Sequence, residues 1–326
     1  MYIVIHEIVA LFVFSQFLEL YVIRSDLDLV LTNLKISMLS FVCIVKTNTF
    51  VFWQTRWREV LNYVTEADIF ERMTLVFTTF LTTTHTPAMR YLSSEIFREN
   101  LRNGTEDFPH IFSSWMPFDK NHSPGSWITV MWHAVLCAYG ASIMAAYDTC
   151  VVVIMVFFGG KLDLLRERCT QMFDDIEVKT CDRKFGKVIR HLHTMHVMLI
   201  KHSRLFNSVL SPVMFVYILM CSLMLCASAY QLTSATNAAQ KLLMAEYFVF
   251  GIAQLFLFCW HSNGVLIKND NLNYGPYNSQ WWSANFQQRQ SVVILSGQLR
   301  IKNIFTAGPF ASLTLSTFIN VSIAFF

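Results

Sequence analysis

The stretch KLDLLRERCTQMFDDIEVKTCDRKFGKVIRHLHTMHVMLIKHSR, Lys161 to Arg204, decides how this chain is arranged. It carries ten of the twenty-five Lys and Arg residues: Lys161, Arg166, Arg168, Lys179, Arg183, Lys184, Lys187, Arg190, Lys201 and Arg204. On either side lie the apolar runs Trp127–Phe158 and Leu210–Leu232. About twenty apolar residues cross a bilayer, so each run is long enough. Basic residues beside spans stay in the cytoplasm, so this segment orients everything else.

Composition agrees. Charged residues make up 14% of the 326 and hydrophobic residues 54%. A soluble chain carries about 25% charge, so this one belongs in lipid. A net charge of +3, concentrated in loops, excludes a nucleic-acid footprint. The run beginning at Tyr2 is long enough to span and reads as a first helix rather than a cleaved signal. None of the eight cysteines falls in a segment assigned to the outside, so a disulfide framework is not expected. Catalytic triads, phosphate-cradling glycine loops and paired catalytic carboxylates are missing from the sequence, which leaves no basis for an enzyme or for a cofactor.

The remaining spans are read at Tyr2–Ile23, Leu29–Phe52, Met73–Tyr91, Glu246–Leu266 and Pro309–Phe326, seven in all. The third is the weakest, with a Thr-rich middle and Pro87 near one end. With the basic segment inside, parity also puts Trp53–Arg72 and Lys268–Gly308 inside. These three loops hold seventeen basic residues, against six in the outer loops. The amino terminus is therefore cytoplasmic and the carboxyl terminus extracellular. The sequon Asn103-Gly104-Thr105 falls in an outer loop, which makes Asn103 the candidate glycosylation site. This orientation reverses that of a G-protein-coupled receptor. Asp-Arg-Tyr at the third span's inner end and Asn-Pro-x-x-Tyr in the last are both lacking.

Several motifs then occur in a particular order. Ala146-Tyr147-Asp148-Thr149 precedes Leu162 and Leu165, and His196 with Leu199-Ile200 leads into the fifth run. Phe256-Leu257-Phe258-Cys259-Trp260 and Asn263 end the sixth run, followed by Tyr277, Trp281-Trp282, Arg289, Leu299-Arg300 and Lys302. Ala307-Gly308-Pro309-Phe310 opens the seventh, with Leu315 and Phe318. In order and spacing this resembles the insect odorant receptor family along essentially the whole chain. Ser262-Asn263 departs from the family's usual Gly-Asn, and Asn303 stands where Pro is common. Against the family pattern, the chain starts without the usual cytoplasmic leader and stops at Phe326, short of the tail that would bear the outer pore gate.

The resemblance implies an all-α membrane protein of seven inverted helices. It would be an odorant-binding subunit of a cation channel, working with a shared co-receptor in a hetero-oligomer, a tetramer in the family. Its implied location is the plasma membrane of olfactory neuron dendrites. Residues 1–266 would hold six helices and the odorant site, and 267–326 the cytoplasmic anchor and pore-lining helix, as one integrated domain. Alternatives are a gustatory-type or non-conducting inverted receptor or transporter, and more remotely a G-protein-coupled receptor.

The family places the odorant among the outer halves of the second, third, fourth and sixth helices. Helical spacing there selects Phe80, Thr83, Thr84 and Pro87, then Tyr139, Ser142 and Ile143, then Tyr247, Phe250, Gly251 and Gln254. Ordinary helix packing uses the same small and polar residues. Thr317, Asn320 and Ala324 lie on neighbouring turns of the seventh run and are candidate pore-lining residues. The Lys268–Gly308 loop has one acid, Asp270, yet holds Tyr274, Tyr277, Trp281, Trp282 and Phe286. Uncharged aromatic surface suits a subunit interface. Asp148 lies well inside a span and is expected to pair with a neighbouring helix or face a hydrated crevice. Lys35 is expected to snorkel. The histidines at 191, 193, 196 and 202 read as a solvated or lipid-facing basic helix, and no metal site is expected.

Overall fold

The first helix, α1 (Tyr2–Val22), buries polar as well as apolar side chains and leaves much of its apolar surface exposed. Phe12, Val13, Gln16 and Glu19 are buried, while Leu11, Phe14, Leu18, Tyr21 and Val22 are exposed. The next helix, α2 (Leu27–Phe52), repeats this, burying Asn33, Lys35, Ser37, Lys46 and Thr49 while exposing Leu39, Val51 and Phe52. A water-soluble helix does the opposite. Lipid tails are as apolar as Leu, so helices in a bilayer associate through polar and small residues and turn apolar side chains outward.

The computed structural model describes residues 2–25, 27–64, 125–174, 181–234 and 238–323. After α2 come α3 (Gln54–Val64), α4 (Gly125–Thr170), α5 (Asp182–Ser234), α6 (Ala238–Asn271) and the short α7 (Tyr274–Asn278). A 3-10 turn at Trp281–Ser283 leads to α8 (Phe286–Leu299), strands β1 (Thr306–Ala307) and β2 (Ala311–Ser312), and α9 (Leu315–Ile323). Among the described residues, three helices are long and apolar enough to cross a membrane: Asn33–Phe52, Gly125–Thr170 and Asp182–Thr233. The third predicted span lies outside the described residues, as do Phe80, Thr83, Thr84, Pro87 and Asn103.

The chain forms two compact units. One contains Met1–Phe52, Asp68–Cys150 and Leu219–Gly251, and has the burial pattern of α1 and α2. The other contains Trp53–Ala67, Val151–Ile218 and Ile252–Phe326. Its core is aromatic and aliphatic, with charges outside, the pattern water imposes. Phe158, Phe206 and Phe305 meet with ring centroids 5.5–6.3 Å apart, and Trp57 packs on Phe206 at 6.1 Å.

Three expectations need correction. The basic segment is not a loop but the ends of two helices, since α4 runs on to Thr170 and α5 starts at Asp182. Helical spacing explains it: Leu162, Leu165 and Cys169 are buried on α4, and Phe185, Leu192, Leu199 and Phe206 recur every seventh residue on the buried side of α5. Neither Lys35 nor His196 is exposed. Lys35 lies beside Met38 and, from α5, Leu223, Met224 and Ala227, and His196 falls on the apolar stripe of α5. The last helix starts at Leu315 rather than Pro309. Residues 306–312 instead form an antiparallel hairpin, Thr306 opposite Ser312 and Ala307 opposite Ala311. Gly308 turns it with φ +66°, a conformation that favours glycine.

Two stability predictions follow from the second unit. A Cβ on Gly275 would sit 2.8 Å from the Arg166 carbonyl and 2.9 Å from Cys169 Cβ, whereas one on Gly186 would meet nothing within 4 Å. Gly275→Ala should therefore cost about 1–3 kcal/mol through overpacking. Gly186→Ala should cost nothing and gain up to about 1 kcal/mol of helix propensity. Thermal unfolding in detergent separates them. Burial, with His193 as the lesser cause, pulls the His196 imidazole down from its ordinary 6.5 to about 4. The unfolded chain thus takes up this proton before the folded one, so stability should fall as pH drops from 6.5 towards 4. His196→Leu should remove that component of the pH dependence, leaving behaviour above pH 7 unchanged.

Candidate functional site

In the first unit, α2 and α4 meet around a buried ion pair. Lys46 is fully buried and bonds to Asp148, which is 18% exposed. The Lys46 ammonium also lies 5.3 Å from the centre of the Tyr147 ring, and Phe50 packs edge-on against that ring at 5.4 Å. Two turns along, Cys43 Sγ lies 3.7 Å from the Gly140 carbonyl, and a Cβ on Gly140 would touch that sulfur at 3.8 Å. Positions 43, 46 and 50 of α2 therefore face 140, 147 and 148 of α4. The pairing expected of Asp148 is present, and its partner is Lys46.

The predicted odorant residues on α4 lie on this same stretch. Tyr139 and Ile143 are half-buried, and Ser142 is exposed with its hydroxyl donating to the Ala138 carbonyl at 2.8 Å. On α6, Tyr247, Phe250, Gly251 and Gln254 fall within two turns. Gly251 packs against α5: its carbonyl accepts from Cys221 Sγ at 3.8 Å, and an added Cβ would approach Leu225 to 3.3 Å. Gln254 is half-buried. A shallow groove of about 450 Å³ runs along α4, lined by Trp127, Ile128, Met131, Trp132 and Val135. Sequence reasoning missed it, although the spacing i, i+1, i+4, i+5, i+8 was there to read.

In the second unit, the predicted interface residues stand outward. Tyr274, Tyr277, Trp282 and Phe286 are 57%, 70%, 59% and 85% exposed, and Trp281 is half-buried. Arg289 fixes this loop by donating to the Ala284 carbonyl at 2.8 Å and the Trp282 carbonyl at 2.7 Å. Gln288 bridges the Asn285 amide at 3.4 Å and Asp182 at 2.7 Å. Of the predicted pore residues, Thr317 donates its hydroxyl to the Ser312 carbonyl at 2.6 Å, Asn320 is exposed, and Ala324 lies outside the described residues. Among the described residues, no group of three His, Cys, Asp or Glu could hold a metal ion.

The family profile described as 7tm Odorant receptor matches residues 26–325, and the chain belongs to that family, one of membrane receptors rather than enzymes. It is 26% identical over 216 residues to Odorant receptor 10 of Aedes albopictus, covering 64% of this chain and 56% of that one. With Odorant receptor Or2 of Anopheles gambiae it shares 24% over 153 residues, 46% of this chain and 38% of that one. The matches thus span about half the length of these relatives. The fold is that of the insect olfactory receptor OR5 from Machilis hrabei, solved in complex with eugenol. That likeness has a TM-score of 0.78 at 16% identity and covers 96% of this chain and 83% of the other.

Removing one member of the Lys46–Asp148 pair takes away the counter-charge that the other meets across α2 and α4. Lys46→Met or Asp148→Leu alone should each cost about 3–5 kcal/mol, and the double variant should recover most of that loss. Thermal unfolding of the four proteins in one detergent measures it.

Proposed function

We propose that this chain is an odorant-binding subunit of a ligand-gated cation channel. Membership of the odorant receptor family over residues 26–325 carries the reading. In it, seven helices cross the plasma membrane of olfactory neuron dendrites, amino terminus inside and carboxyl terminus outside. The charge asymmetry along the sequence supports that orientation, and Asn103 then lies where a glycan can be added. Residues 1–266 hold the odorant region and 267–326 the anchor and pore helix, within one integrated domain.

The ligand is a small, mostly apolar volatile held by Phe80, Thr83, Thr84, Pro87, Tyr139, Ser142, Ile143, Tyr247, Phe250, Gly251 and Gln254. Apolar walls with a few hydroxyls and one amide suit such a molecule. Eugenol, the ligand held by the OR5 structure, is of this class. Thr317, Asn320 and Ala324 of the last helix face the conduit. Exposed Tyr274, Tyr277, Trp282 and Phe286, with half-buried Trp281, pack against a co-receptor subunit in a tetramer. Uncharged aromatic surface held rigidly by Arg289 is what the core of such an interface needs. The odorant opens the pore through its higher affinity for the open arrangement, and by no more than that difference.

Cells expressing this chain with an odorant-receptor co-receptor should pass a cation current when exposed to a panel of small phenols, esters and alcohols. The current should persist under G-protein blockade. Tyr139→Ala should raise the half-maximal concentration on the order of tenfold, a loss of about 1.4 kcal/mol. Absence of current beyond that of the co-receptor alone, with this chain at the cell surface, would reject the reading.

A further inference from the structure

The segment joining α8 to α9 lacks helical hydrogen bonds of its own, and α5 supplies them. Ser203, Asn207 and Ser211 recur every fourth residue, so they stand one above another on a single face of α5. The Ser203 hydroxyl donates to Asn303 Oδ1 at 2.8 Å. The Thr306 amide donates to Asn207 Oδ1 at 2.8 Å, and Asn207 Nδ2 donates back to the Thr306 hydroxyl at 3.2 Å. That hydroxyl also lies 2.9 Å from the Ser211 hydroxyl. The Gly308 amide donates to both the carbonyl and the hydroxyl of Ser211, at 3.0 and 2.9 Å. One turn further, the Phe215 ring closes on Gly308 so tightly that a Cβ there would stand 2.8 Å from it.

The grip extends into α9. The Leu313 amide donates to the Phe305 carbonyl at 2.9 Å, closing the hairpin. Thr314 caps α9 by accepting from the Thr317 amide at 3.4 Å, and the Thr317 hydroxyl ties that first turn to Ser312. The hairpin and the start of α9 are therefore one hydrogen-bonded body seated on four successive turns of α5. Amides that lose a partner in such a site are costly, so these contacts hold together or break together.

We propose that Ser203, Asn207 and Ser211 are positioning residues for α9: by holding the hairpin at its foot, they set the resting balance between conducting and closed arrangements. The effect on conduction rests on reading α9 as the pore helix, whereas the ladder itself does not. Loosening the foot frees α9 to leave the closed arrangement and raises current without odorant.

Two readouts keep these apart. In purified protein, the Thr306 and Gly308 amides should exchange slowly with deuterium, and Asn207→Ala should speed exchange at Thr306 while Asn207→Asp, which keeps the acceptor oxygen, should not. Fast exchange in the unaltered protein overturns the proposal whether or not the chain conducts. In cells with the co-receptor, at matched surface level, Asn207→Ala and Thr306→Val should each raise the odorant-free fraction of current about fivefold, the worth of roughly one hydrogen bond. The double variant should go no further than either alone, and Asn207→Asp should behave like the parent. Additive effects, or lower surface level with an unchanged odorant-free fraction, would reduce the ladder to a folding contact and overturn the proposal. A silent parent with slow exchange would count against the channel reading instead, and with it against any effect of the ladder on conduction.

Discussion

An ammonium or a carboxylate inside an apolar helix pair has to find its counter-charge, and here Lys46 and Asp148 find each other. Either charge alone at the centre of a bilayer costs about 3 kcal/mol on insertion scales, so the pair chooses which faces of α2 and α4 can meet. The rest of that face follows: Tyr147 lies beneath the ammonium, Phe50 against Tyr147, and Cys43 at Gly140. The same rule shapes the second unit. The segment 303–308, which includes strand β1, takes hydrogen bonds from a polar stripe of α5. In both places polar groups specify the contact and apolar groups fill around it.

Much of this was legible in the sequence because lipid imposes coarse rules. Runs of about twenty apolar residues needed no tertiary knowledge. The run boundaries for α1, α2 and α6 agree with the helices to within a few residues, apart from the amino-terminal end of α6. The basic segment was misread as a loop because its charges drew attention away from Phe185, Leu192, Leu199 and Phe206, whose sevenfold spacing marks a buried helical stripe. Lys35 and His196 were misplaced because polarity was taken as exposure, whereas both side chains are buried among apolar neighbours.

What the sequence could not supply was pairing. Asp148 demanded a partner, but Lys46 is 102 positions away and one of many cations. The hairpin at 306–312 was hidden because Ala-Gly-Pro-Phe reads equally well as a helix start, and only the docking of Gly308 on Ser211 and Phe215 decides otherwise. The odorant residues were chosen by helical spacing, which selects a face without saying what covers it. The groove from Trp127 to Val135 shows the gain from reading apolar spacing as a wall rather than as core.

Every proposed functional assignment depends on which side of the membrane the α4–α5 elbow faces, since a cytoplasmic elbow would place the proposed aromatic anchor inside and the proposed glycan and odorant regions outside. The most direct measurement is accessibility of two short epitope tags, one inserted between Asp175 and Cys181 and one following Phe326. Antibody applied to intact cells should label only the tag after Phe326, and the elbow tag should appear after permeabilisation. Labelling of the elbow on intact cells would contradict the orientation and the receptor-channel account built on it.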